Sequence, residues 1–285
     1  MALTALLLVI LAAALHTAWN FMMKLVEEKH VFTWWALAVG VLLYLPLLQG
    51  LPIPARIWPY ALASACVEGA YFMALIHAYD RGDFSLVYPL ARGTAPALLA
   101  IWATLFLGES QKLAGIVGLA VLLIGLLIVG GSSWWVGRGS ASVGVGGVGA
   151  AFGVALCISI YSVIDGAAVR LMAPAPYTEL VFGLTAVCIT PVVFARYGCR
   201  TVVTVWRAHW RGICGVGFLM LLTYMLVLQA YALARVSYVG ALREISVVFA
   251  ALAGWRWLKE SFGAVRTIGA VLIFLGVLVI ALVGE

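Results

Sequence analysis

The sequence predicts an all-α integral membrane protein whose ten transmembrane helices form two inverted five-helix repeats. Three observations lead there. Of 285 residues, 65% are hydrophobic and only 10% charged, with a mean hydropathy of +1.13, whereas a soluble domain is about a quarter charged. Apolar runs close to the ~20 residues needed to cross the hydrocarbon recur along the whole chain. Residues 86–130 are echoed by residues 237–281 after a displacement of 151 positions, which pairs Arg92 with Arg243, Glu109 with Glu260, Gly118 with Gly269 and Gly125 with Gly276. An arginine within a span, an acidic elbow and two glycines seven apart thus occur twice.

The runs suited to spans are 2–23, 32–48, 58–79, 85–107, 113–130, 147–172, 177–195, 210–234, 237–258 and 263–283. The first has no basic segment before it and no cleavage site after it, so it reads as a span and not as a signal peptide. Short connections make consecutive helices antiparallel neighbours. The longest break, 131–146, is rich in Gly and Ser and lies at the midpoint. It divides a first repeat, 1–130, from a second, 147–285. Five spans per half is an odd number, so the halves insert in opposite orientations.

A net charge of +6 and a pI near 9.2 do not indicate nucleic acid. The cations sit mostly between apolar runs, with the largest cluster at Arg196, Arg200, Arg207 and Arg211. Cations in that position orient a membrane protein, and a plain count places both termini outside the cytoplasm, on a bias that comes mainly from the second half. Cys66, Cys157, Cys188, Cys199 and Cys214 show no paired spacing, so neither a disulfide framework nor a metal site is expected.

Ten spans in two halves, a span ending Leu105–Phe106–Leu107–Gly108–Glu109 after Thr94–Ala95–Pro96, and a following glycine-bearing span together resemble the EamA-type carriers of the drug/metabolite transporter superfamily. The opening His16–Thr17–Ala18–Trp19–Asn20 with Lys24 resembles the first span of one branch of that family. The second half departs from the pattern, with Val247 where the first has Pro96 and Lys259 where it has Gly108. The resemblance implies a carrier of small metabolites, often an exporter, in a bacterial inner membrane, with a substrate cavity between the halves.

A charge at bilayer depth costs about 2.5–3.5 kcal/mol on insertion scales, so each ionisable residue within a span calls for a reason. Helical spacing groups His16, Trp19 and Asn20 on span one, Glu68 and Tyr71 on span three, and Tyr88 and Arg92 on span four. In the second half it groups Tyr161 and Asp165 on span six, Tyr224 and Tyr231 on span eight, and Arg243 and Glu244 on span nine. Chain direction places Asp165 and Arg243 toward one face of the membrane, Asn20 and Arg92 toward the other, and Glu68 between. These thirteen residues are the expected substrate contacts, around a wet space shared by the halves. Glu68, Asp165 and His16 are the candidates for proton coupling. Arg92 and Arg243 would equally serve as structural partners of the buried acids. Glu109 and Glu260, at span ends, are expected to cap the elbows, and the glycines to permit close helix contact within the chain or between protomers.

The cations suit an acidic group and the acids an ammonium group, which favours a zwitterionic metabolite. A quaternary ammonium in an aromatic cage is the alternative, and a membrane scaffold or sensor the non-transport reading. An intramembrane enzyme would need a clustered catalytic set, and the acids lie on different spans. No cofactor, metal or nucleotide-binding loop is expected. The expected partners are a small-molecule substrate and membrane lipid, the chain acting as a monomer or homodimer.

Overall fold

A computed structural model describes residues 3–24, 26–48, 53–81, 84–135, 145–249, 252 and 264–283. The described residues are almost wholly helical and contain no strand. In chain order the helices are α1 (Leu3–Lys24), α2 (Lys29–Tyr44), α3 (Trp58–Arg81), α4 (Phe84–Leu107), α5 (Leu113–Trp135), α6 (Val145–Ala168), α7 (Pro174–Leu233), α8 (Val236–Leu242) and α9 (Ala264–Val283). Two short 3-10 turns, Leu45–Leu48 and Ala55–Ile57, join α2 to α3.

Four described segments are long and apolar enough to cross a membrane: Leu3–Met23, Lys29–Leu48, Ala151–Ala168 and Pro174–Leu233. Shorter apolar helical stretches at Thr94–Leu107, Leu113–Ile128 and Thr267–Leu282 accompany them. On α9, Ala270, Ile273, Val277 and Ile280 are buried, while Ile268, Val271, Phe274, Leu278 and Leu282 are exposed. Both stripes are apolar, so one suits protein and the other lipid.

The halves interlock. α3 and α4 flank α6, the first helix of the second half. The later part of α7, together with α8, flanks α1, the first helix of the first half. α5 and α9 cross most closely through the repeated glycines. A Cβ on Gly118 would stand 3.1 Å from Gly276 O, and one on Gly125 would stand 2.7 Å from Gly269 O. Gly118 therefore meets Gly276 and Gly125 meets Gly269, which makes the helices antiparallel. Each contact is the image of the other under the 151-residue displacement. The glycines serve close packing within the chain.

Two parts of the expected pattern, the connection over 196–209 and run 237–258, are organised differently. Within α7, runs 177–195 and 210–234 lie on two helices that meet at a kink at Gly198, whose φ of 72° and ψ of 160° suit glycine alone. The connection expected over 196–209 is itself helical. Its cations mark one face only: Arg200 and Arg207 are exposed, while Val202 and Val205 are buried. The Trp35 indole donates to Val202 O at 2.9 Å, and Trp206 packs 4.8 Å from Trp35. Run 237–258 likewise begins as α8 but tightens at Arg243 before helix resumes over 245–249.

Close approach sets a test of the interlock. An added methyl on Gly276 would meet Leu122 N at 2.6 Å and Gly118 O at 2.7 Å, backbone atoms that have little room to yield. Gly276→Ala is expected to destabilise the detergent-solubilised protein by about 1–3 kcal/mol, read as a lower thermal midpoint. Gly149→Ala, where an added methyl meets nothing within 4 Å, should leave the midpoint unchanged or slightly higher.

Candidate functional site

α6 carries Tyr161 and Asp165 one turn apart, so both point to the same neighbours. Asp165 is completely buried. Its Oδ1 accepts from Tyr177 OH at 2.7 Å, and its Oδ2 accepts a short hydrogen bond from Tyr224 OH. Tyr177 lies before the Gly198 bend and Tyr224 after it, so the two parts of α7 close on one carboxylate. On α3, Ser64 and Glu68 share a stripe. The Ser64 hydroxyl is buried near Asp165 without a hydrogen bond of normal length. Glu68 is buried, and its Oε2 accepts from Thr185 Oγ1 at 2.8 Å.

Arg243 completes the cluster from the end of α8. Its Nη1 donates to Tyr231 OH at 3.4 Å, and Glu68 and Asp165 lie within longer electrostatic reach of the guanidinium without a direct ion pair to it. Around these groups runs a series of rings, with Tyr71 6.2 Å from Tyr161, Tyr161 6.5 Å from Tyr224 and Tyr224 4.9 Å from Phe182. Phe182 and the partners Tyr177, Thr185 and Thr17 were not among the expected contacts. The spacing Tyr177–Val181–Thr185 puts two hydroxyls on one stripe of α7, a signal that marks polar contact without naming the partner.

At Arg243 the α-helical ladder gives way to three-residue spacing: Glu244 N to Ala241 O, Ser246 N to Arg243 O and Val247 N to Glu244 O, at 2.9–3.1 Å. Such tightening within a helix often marks a hinge. The Thr17 hydroxyl of α1 lies 2.9 Å from Ala13 O and 3.1 Å from Ser246 O, which ties α1 to the tightened turn. Next to this contact Ala12, Ala13, His16, Thr223, Val227, Arg243 and Ser246 line a cavity of about 10 Å³, room for a single water. The wet space expected between the halves would also be bounded by the side chains of Tyr88 and Arg92, which fall outside the described residues. Glu68 and Asp165 are not among the residues that line the small crevice.

His16 therefore joins the site at the crevice, its ring edge-on to Trp19 at 4.8 Å. Asn20 does not join it: the residue is exposed, and its Nδ2 turns back to His16 O at 2.8 Å. Glu244 is buried beside Arg243 in sequence. Tyr88 and Arg92 lie on α4, but their side chains fall outside the described residues, as does Glu260. Among the described residues no group of three or more metal-ligating side chains occurs.

Residues 3–131 and 145–282 match the EamA-like transporter family. The chain belongs to that family. A shorter relative, the uncharacterized protein MJ1333.1 of Methanocaldococcus jannaschii, is 29% identical over 132 residues, 44% of this chain and 96% of that protein. An uncharacterized transporter in the cobO 3′ region of a Sinorhizobium species is 34% identical over 77 residues, 27% of this chain and 54% of its own. A protein crystal structure at 20% identity superposes with a TM-score of 0.75, covering 98% of this chain and 99% of the other, which shows the shared fold. As a member of the EamA-like family the protein is an integral membrane transporter.

In this EamA-like transporter the Gly108–Glu109 elbow acts across the halves. Gly108 has a φ of 68°, and Glu109 is buried. The Glu109 carboxylate accepts from Val236 N at 2.6 Å, from Ser237 N at 3.2 Å and from Ser237 Oγ at 2.5 Å. It thus caps the start of α8, favourably placed for the helix dipole, and not its own elbow. Gln111 Nε2 donates to Ser237 Oγ at 3.0 Å, and Arg235 Nη1 to Ser110 O at 2.6 Å. Glu109→Ala would leave these buried donors unpaired. A loss of about 1.5–3 kcal/mol is expected, measured as a lower thermal midpoint, with Glu109→Gln losing less.

Proposed function

We propose that this transporter moves a small polar or zwitterionic metabolite, such as an amino-acid-like solute, by alternating access between two oppositely inserted halves. The carrying observation is that Glu68, Asp165 and Arg243, from α3, α6 and the tightened turn after α8, come together where the two halves meet. The antiparallel crossing of equivalent helices α5 and α9 supports the inverted relation. Arg243 faces the crevice and would receive a carboxylate, sulfonate or phosphonate group by charge-assisted, two-pronged hydrogen bonding. Glu68, with one carboxylate oxygen held by Thr185, would meet the ammonium end. Tyr71, Tyr161 and Tyr224 would cover the body of the solute.

Rocking of the halves would open the crevice first to one side and then to the other, with the tightened turn at Arg243 as its hinge. Export across a bacterial inner membrane follows the family's habit. Proton exchange through Glu68, Asp165 or His16 would supply the drive. A quaternary-ammonium substrate is the second reading, favoured by the ring series lying against two carboxylates.

Uptake of a panel of labelled amino acids, sulfonates and quaternary amines into proteoliposomes, with and without a pH gradient, tests both readings. Arg243→Ala and Glu68→Gln are each expected to cut transport of the accepted solute at least ~10-fold, about 1.4 kcal/mol, with insertion and the thermal transition retained. Arg92→Ala should do the same if its side chain shares the site. Transport unchanged in the Arg243 and Glu68 variants would overturn the assignment.

A further inference from the structure

Glu179 is a buried acid that the cluster above does not use. It is 1% exposed, and neither carboxylate oxygen has a hydrogen-bond partner. Its position on α7 explains the isolation. Tyr177 and Thr185 turn toward Asp165 and Glu68, and at 100° per residue Glu179 lies about 200° round the helix from Tyr177. It therefore shares a face with Gly183, which meets Val41, and with Thr190, which accepts from Trp34 Nε1 at 2.9 Å. That face looks at α2, whose C-terminal end continues into the turn Leu45–Leu48, itself packed on α7.

Among the described residues, the surroundings offer Glu179 no charge. His30 of α2 lies beside Tyr197, and its neighbour Lys29 is at that same end of the helix, some 27 Å along α7 at 1.5 Å per residue. Tyr44 is committed to Phe218 O at 3.3 Å, Tyr224 to Asp165, and Tyr231 to Arg243. The turn that covers this end of α2 contains only leucine and proline. Arg56, before α3, is exposed, and no charged group among the described residues acts on Glu179. An ionised carboxylate in such a place would cost several kcal/mol with nothing to offset it.

We propose that Glu179 is a proton-binding site of the carrier, separate from the Glu68–Asp165–Arg243 cluster, loaded in the closed arrangement and discharged when α2 and the Leu45–Leu48 turn move off it. This rests on the alternating-access reading for its role in transport, but the site itself is testable without a substrate. Infrared spectroscopy of the purified protein in detergent at neutral pH, wild type minus Glu179→Gln, should show loss of one protonated-carboxyl carbonyl band. Glu179→Leu, which places an apolar side chain in an apolar site, should lose the same band and fold at least as stably as the wild type. A difference spectrum in which a carboxylate band is lost instead, or in which neither variant removes a carbonyl band, overturns the proposal. Failure of transport in the proteoliposome assay leaves this measurement unaffected, so the two readings are separable.

Discussion

Ionisable side chains taken into a helical bundle in lipid must be satisfied by other helices, because the hydrocarbon supplies no hydrogen bonds. Asp165 shows what that demands of the fold. Two tyrosine hydroxyls reach it from parts of α7 on either side of the Gly198 bend, so a carboxylate on α6 fixes how both parts of α7 stand. Glu68 draws Thr185 to α3 in the same way. The acids act as fixed points around which helices of both halves are oriented, and Arg243 stands nearby on the tightened turn after α8, bonded to Tyr231.

Packing and polar contact divide the work. At the α5–α9 crossing the glycines bring backbones together, and stability there is a matter of shape. At the junction of α1, α3, α6, α7 and α8 the contacts are hydroxyl to carboxylate and hydroxyl to carbonyl, directional and exchangeable for bonds to a solute or to water. Glu109 links the two regimes. It belongs to the elbow that leads into α5, yet it holds the start of α8, seven residues before Arg243. A change in how the halves meet at that elbow therefore bears directly on where the guanidinium stands.

Much of the candidate cluster is legible in the sequence. Glu68, Tyr71, Tyr161, Asp165, Tyr224, Tyr231 and Arg243 stand out as polar or aromatic residues at helical spacing in apolar runs, and the structure gathers them. Spacing did not reveal which were already satisfied. Asn20 looks like a neighbour of His16 but bonds back to its own helix, and Glu109 looks like an elbow cap but serves a helix 127 positions away in sequence. The predicted loop over 196–209 failed for a related reason: its charges are the outer face of a helix whose inner face, Val202 and Val205, rests on α2 through Trp35.

The sequence by itself determined the class of the molecule, its division into two related halves and the family to which it belongs. These follow from composition, run length and the 151-residue echo, properties that sum over many residues and survive local irregularity. Only the tertiary structure decided which donor meets which acid, that a water-sized crevice opens beside Arg243, that span nine tightens there, and that Glu179 stands apart from every charge among the described residues. Those outcomes depend on the rotation of one helix against another, and a turn of 100° per residue lets a change of one position move a side chain from a partner to an apolar wall.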